Sequence, residues 1–217
     1  RREVAPRHFV FPLTLSPHST ATYYFRVQSS SAYYIAAHLY TPLQFLSKER
    51  DAQLGYGFYY GLIFVMFFYN LVLWLTTRSK SYLYYVLTVF FLHGLFQLSS
   101  NGLAYEYLWP NAVWWNNHCL GFFLGVSVFW VLQFSQRFLR TEQMPRWHLT
   151  FTALKWASLA TAVFNLTPDG GLLSRLSIYW NIRLALVSNV LIWCLALWRW
   201  RDKNARSFLI AWSTLLL

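Results

Sequence analysis

The feature that most constrains this chain is a series of long apolar runs separated by loops of alternating charge. From Leu54 onward the runs cover 54–77, 82–100, 115–137, 147–166 and 172–198, and a sixth opens at Ser207 and continues to Leu217. A bilayer core of about 30 Å needs roughly 20 apolar residues in a helix, and the first five runs meet or nearly meet that length. Composition agrees. The chain is 57% hydrophobic and 21% aromatic but only 12% charged, with 18 Lys+Arg against 7 Asp+Glu. Disorder is excluded by this apolar content, and a disulfide scaffold by two cysteines in 217 residues. The excess of cations alone would suggest nucleic acid, but they lie between apolar runs, so the partner is a lipid bilayer and no nucleic acid is expected.

The loops set the orientation. Arg78 and Lys80 follow the first run, Arg137, Arg140 and Arg146 flank the third connection, and Arg199, Arg201, Lys203 and Arg206 the fifth. The second connection has no Lys or Arg, and the fourth has only Arg175 beside Asp169. Short basic loops stay on the cytoplasmic side. Odd connections are therefore inside, and the segment before the first run is outside. Tyr82, Tyr84 and Tyr85, the outer-loop group Tyr105, Tyr107, Trp109, Trp114 and Trp115, and the inner Trp147, Trp198 and Trp200 suit the headgroup level.

Residues 1–46 have a different period. Phe9, Phe11, Leu13 and Leu15 alternate, then Tyr23, Phe25 and Val27, then Tyr33, Ile35, Ala37 and Leu39, with serine-rich breaks between. This is the period of antiparallel strands with one buried face. Three strands cannot bury a core alone, and the first residue is Arg1 rather than Met. We expect 1–46 to be the C-terminal strands of a larger extracytoplasmic β domain, 47–53 a linker, and 54–217 the transmembrane domain, its sixth helix cut short at 207–217. The fold class is thus an α-helical polytopic membrane bundle preceded by the last strands of an antiparallel β-sandwich.

Tyr56-Gly57-Phe58-Tyr59-Tyr60-Gly61 with Met66 and Tyr69-Asn70-Leu71, Ser81-Tyr82-Leu83-Tyr84-Tyr85, and the outer-loop string from Gly102 to Trp109-Pro110 together carry a resemblance. The chain resembles the bacterial seven-transmembrane receptors with diverse intracellular signalling modules (7TMR-DISM). That resemblance implies a periplasmic jelly-roll of carbohydrate-binding type before the helices, and a cytoplasmic output domain after them such as a diguanylate cyclase or histidine kinase. It also implies location in the bacterial inner (plasma) membrane. Helix count here stops short of seven and no output domain is present. No ligand residues carry over from the family's membrane portion.

Polar groups inside spans are the first place to look for function. Span four holds Lys155, span five Arg183 between Asn181 and Asn189, span two His93 and Gln97, and span one Asn70. No carboxylate lies inside any expected span, and a bare charge in hydrocarbon costs at least ~2.5–3.5 kcal/mol. Snorkelling or bundle-interior packing is the ordinary explanation for Lys155 and Arg183; an anion pocket or switch element is the functional one. The pairs Gly57…Gly61 and Gly121…Gly125 place small residues on one helical face each, where backbones approach closely, within the bundle or across a homodimer.

Catalytic and metal patterns are missing. There is no His-Glu-x-x-His, Gly-x-Ser-x-Gly, phosphate-binding loop or Cys-x-x-Cys, and the histidines at positions 8, 18, 38, 93, 118 and 148 share no ligand spacing. No enzyme, metal or cofactor is expected in this segment. Cys119 and Cys194 should lie about 20 Å apart in depth, too far for a disulfide. Asn165-Leu166-Thr167 matches a glycosylation acceptor, incidentally for a bacterial chain. Two functions follow: a sensory receptor for a small periplasmic ligand, or a transporter or channel for a small anionic solute with Lys155, Arg183 and Asn181 along its path.

Overall fold

Thr41 starts the first helix of the computed structural model, which describes residues 10, 11, 13, 20–24, 38–167 and 172–216. Its hydroxyl accepts from the Gln44 backbone N–H while the Gln44 side chain accepts from the Thr41 N–H, and Pro42 occupies the first turn. This reciprocal cap satisfies two otherwise orphaned donors, and helix α1 runs unbroken over Pro42–Thr77, 36 residues. At 1.5 Å per residue it is about 54 Å long, well beyond the membrane core. Residues 47–53, expected as a linker, are therefore helical. Ser47-Lys48-Glu49-Arg50-Asp51 contains no Gly or Pro to interrupt the helix opened at Thr41. The strands expected over 1–46 fall mostly outside the described residues.

After Arg78, the chain returns through α2 (Lys80–Thr88), a π-helical stretch (Val89–Phe96) and α3 (Gln97–Ser100). These three make one continuous span whose middle is wound more widely than an α-helix. Hydropathy does not register this change, because it alters the winding of the backbone and not the composition of the run. A short outer helix α4 (Leu103–Tyr107) follows the left-handed Gly102. Next come α5 (Val113–Phe138), a 3₁₀ turn (Thr141–Gln143), α6 (Pro145–Phe164), α7 (Leu172–Trp198) and α8 (Lys203–Leu216).

Helix α5 is the centre of the bundle, packed by α2, the π stretch, α6, α7 and α8. The core at its inner half joins Leu132 and Phe134 to Phe151 of α6, Ile192 and Leu195 of α7, and Phe208 and Leu209 of α8. Tyr85 of α2 meets Phe134 edge-on at 5.5 Å, and Trp147 and Trp198 pair at 6.3 Å. Helix α1 is peripheral, touching only α2 and the π stretch closely.

By length and apolarity alone, four helical segments among the described residues are able to cross a membrane: Pro42–Thr77, Lys80–Ser100, Val113–Phe138 and Leu176–Trp198. Helix α6, expected as a span over 147–166, is not among them, although it is 20 residues long. The reason lies in one polar face.

Candidate functional site

His148, Thr152, Lys155, Ser158, Thr161 and Asn165 succeed one another along α6 in steps of three or four residues. Such spacing keeps them on one slowly winding stripe. The stripe is about 25 Å long, close to the full hydrocarbon thickness, and it packs against α5 and α7. Its length is what lowers the mean hydropathy of α6.

The inner half of the stripe is built from long side chains. Lys155 Nζ donates to Gln133 Oε1 at 2.6 Å and to Gln136 Oε1 at 2.9 Å, and sits 6.0 Å from the Phe129 ring. Gln136, only 4% exposed, donates in turn to the His148 carbonyl at 3.1 Å and Thr152 Oγ1 at 2.9 Å. His148 Nδ1 is hydrogen-bonded to Thr141 Oγ1 at 3.2 Å. The half-buried ammonium is thus served by two neutral amides, not by a carboxylate. Beyond this cluster, Arg199 donates to the Leu139 carbonyl at 2.6 Å, where α5 ends, and is paired with Asp202 at 3.3 Å. These contacts tie the inner ends of α5 and α7 to the turn that opens α8.

The outer half is built from short side chains and bare backbone. Asn181 of α7 is fully buried, donates to the Gly121 carbonyl of α5 at 3.2 Å, and accepts from the Thr161 hydroxyl of α6. Asn165 donates to the Thr161 carbonyl at 2.7 Å and is 2% exposed, which hides the nitrogen that a glycan would need. A Cβ on Gly121 would overlap Asn165 Oδ1. One on Gly125 would lie 2.7 Å from both the Ser158 carbonyl oxygen and Ala162 Cβ. Helices α5 and α6 meet here at backbone distance, and α7 joins them through the Asn181 side chain. By contrast, Gly57 and Gly61 on α1 have nothing within 4 Å, so the two glycine pairs, alike in sequence, have opposite surroundings.

The helices that carry this seam fall within a known family. Residues 52–217 match the family described as 7TM diverse intracellular signalling, and residues 1–41 match 7TMR-DISM extracellular 2. The chain belongs to the 7TMR-DISM family. No curated protein and no solved structure matches the chain significantly. It is a multi-pass membrane protein with an extracellular N-terminal region, and a receptor by family. The extracellular match ends at the residue that caps α1, and the membrane match begins ten residues into that helix.

The remaining polar residues of this 7TMR-DISM chain are dispersed. Arg183 is exposed on α7, its guanidinium 5.5 Å from the Trp180 ring, and points away from the seam that buries Asn181. Lys155, Arg183 and Asn181 therefore do not converge on one path. His93 lies in the π stretch and is hydrogen-bonded to Tyr59 of α1 at 3.1 Å, with Gln97 half-buried one turn on. Asn70 and Asn189 each bond back to their own helix, at Met66 and Ala185. No group of three metal-binding side chains occurs among the described residues.

Gln133, Gln136, Ser158 and Thr161 complete the seam without being conspicuous in the sequence. The three-and-four spacing of polar residues on α6 points to Ser158 and Thr161, whereas Gln133 and Gln136 lie one turn apart near the inner end of α5 and meet the stripe only through packing. We expect Gln136→Leu to destabilise the protein by about 2 kcal/mol, since it strips an acceptor from a charged group. The double variant Lys155→Met/Gln136→Leu should recover most of that loss, because charge and partner leave together. Thermal unfolding of the four proteins of this cycle in nanodiscs checks the prediction; additive losses would show that Lys155 and Gln136 are not coupled.

Proposed function

We propose that this chain is the membrane portion of a bacterial inner-membrane receptor that couples a small periplasmic ligand, of carbohydrate type, to a cytoplasmic output domain in cis. That output chemistry would be of the diguanylate cyclase or histidine kinase kind, and the segment itself would act as a mechanical relay rather than an enzyme. Helix α6 would cross the bilayer with its polar stripe shielded by α5 and α7. The observation that carries the reading is the continuity of α1. Its cap at Thr41 adjoins the end of the extracellular match, and the same helix reaches the inner loop at Arg78. A flexible linker would dissipate a displacement of the outer domain, whereas a helix transmits it as a rigid body. A ligand shifts such a relay only by its difference in affinity for the two positions.

The test is made in the full-length protein by excising the extracellular domain through residue 41 and titrating mono- and oligosaccharides. Basal output should persist while the response disappears. A response that survives the excision would place sensing elsewhere and end this reading. The anion-transport alternative lacks a converging set of cations among the described residues, and its seam at Gly121 and Gly125 leaves no room even for a methyl group.

A further inference from the structure

Among the described residues, the two non-glycine residues with positive φ are both arginines: Arg78 at 54° and Arg140 at 48°. Arg78 caps α1, its N–H bonded to the Trp74 carbonyl at 2.8 Å, and Arg140 follows α5 by two residues. Both helices run inward, so both arginines sit at the cytoplasmic surface, and both are exposed. Their depths agree. Arg78 lies seven residues before Tyr85 and Arg140 six after Phe134, and those two rings are in contact.

A left-handed cap is where helices ordinarily place glycine, or failing that asparagine, because a larger residue brings its Cβ against the backbone. Holding arginine there twice is a strain, and strain of this kind persists where the side chain has work elsewhere. Complementing the helix dipole is an insufficient reason. Arg137 already supplies a cation in the last turn of α5 without left-handed backbone, and the dipole of α1 would be served equally by a cation on ordinary helical backbone in its last turn, where none is placed. Nor is an internal carboxylate left over. The inner loops carry only Glu142 and Asp202, which pair with Arg137 at 3.2 Å and Arg199 at 3.3 Å. The Arg78 guanidinium lies 5.9 Å from the Trp74 ring, an interfacial anchor that keeps it at headgroup depth.

We propose that Arg78 and Arg140 are a docking site for anionic phospholipid of the cytoplasmic leaflet, each guanidinium taking a headgroup phosphate. Guanidinium matches phosphate through two parallel N–H donors, which an ammonium cannot do. Basic residues beside a membrane span draw on the negative potential of that leaflet. The inference rests on the inward orientation of these loops and not on the ligand or output of the receptor, so it stands or falls separately from the function proposed above.

The test places the full chain in nanodiscs of phosphatidylcholine, with and without phosphatidylglycerol, and follows thermal unfolding. Phosphatidylglycerol should raise the melting temperature of the parent protein. The variant Arg78→Gly/Arg140→Gly should melt no lower than the parent in pure phosphatidylcholine, because glycine relieves the left-handed backbone, yet lose most of the phosphatidylglycerol increment. Arg78→Asn/Arg140→Asn should behave the same way. An Arg78→Lys/Arg140→Lys variant should keep only part of the increment. Three results would overturn the proposal: a full increment in the glycine variant, a lower melting point of that variant in pure phosphatidylcholine, or an increment reproduced by inorganic phosphate without phosphatidylglycerol.

Discussion

Gly125→Leu should be the most damaging single substitution in this membrane domain. A Cβ at position 125 already comes within 2.7 Å of the Ser158 carbonyl oxygen and Ala162 Cβ, and within 3.0 Å of Asn181 Oδ1. Ser158, Ala162 and Asn181 are fully buried, and the Ser158 atom belongs to the backbone, so no side chain can turn aside. Helix α5 must separate from α6 and α7, and the Asn181 bond to Gly121 would be lost with that separation. Gly125→Ala should cost about 1–3 kcal/mol as an overpacking change, and Gly125→Leu enough to prevent accumulation of monodisperse protein. On α1 the sign reverses. Gly57→Ala and Gly61→Ala meet open space, and should be neutral or stabilising by up to ~1 kcal/mol through helix propensity. Size-exclusion profiles and thermal unfolding of the alanine series compare the pairs directly; equal tolerance at both would refute the tight outer seam. A homodimer built on α1 would show instead as loss of association in the Gly57 and Gly61 variants.

The second large effect is on coupling rather than stability. Glu49→Pro, placed in the part of α1 that projects beyond the membrane, removes a helical N–H and clashes with the carbonyl four residues earlier, at a cost of ~3 kcal/mol or more in helix continuity. In the full-length receptor we expect normal insertion and basal output, but at least a tenfold loss of ligand response. Glu49→Ala keeps the helix and should keep the response. A dose–response curve of output against ligand separates the two variants. If Glu49→Pro responds normally, α1 is not the transmitting element.

Much of the membrane architecture is legible in the order of residues. Apolar runs separated by basic and non-basic loops are enough to locate most helices within a few residues and to orient them, because hydrocarbon imposes a length and a polarity that a linear chain displays directly. The two-residue offset at the start of α6, Pro145 against the expected 147, falls within ordinary fraying of helix ends once Pro145 is allowed its place in the first turn. The start of α1 lies further from expectation. Hydropathy begins at Leu54, but the helix begins at a cap more than a dozen positions earlier, and its signal is Thr41-Pro42 with Gln44 rather than any apolar residue.

Other features depend on which neighbour each face meets. Gly57…Gly61 and Gly121…Gly125 are the same motif, yet one pair is open and the other brings α5 against the α6 backbone and the Asn181 side chain of α7. Asn181 and Arg183 are two residues apart, which on a helix turns them about 200° from each other: one is buried against Gly121 and the other lies outside over Trp180. Lys155 is an unpartnered charge in sequence order, but α5 brings Gln133 and Gln136 to it from about twenty positions away. The chain alone determined its solvent and the place of most of its helices, since those follow from side-chain transfer energies and period. Only the tertiary structure decided which polar residues form a seam, which glycines are contacts and which cations the inner carboxylates take as partners, since those depend on distances between helices that sequence order does not contain.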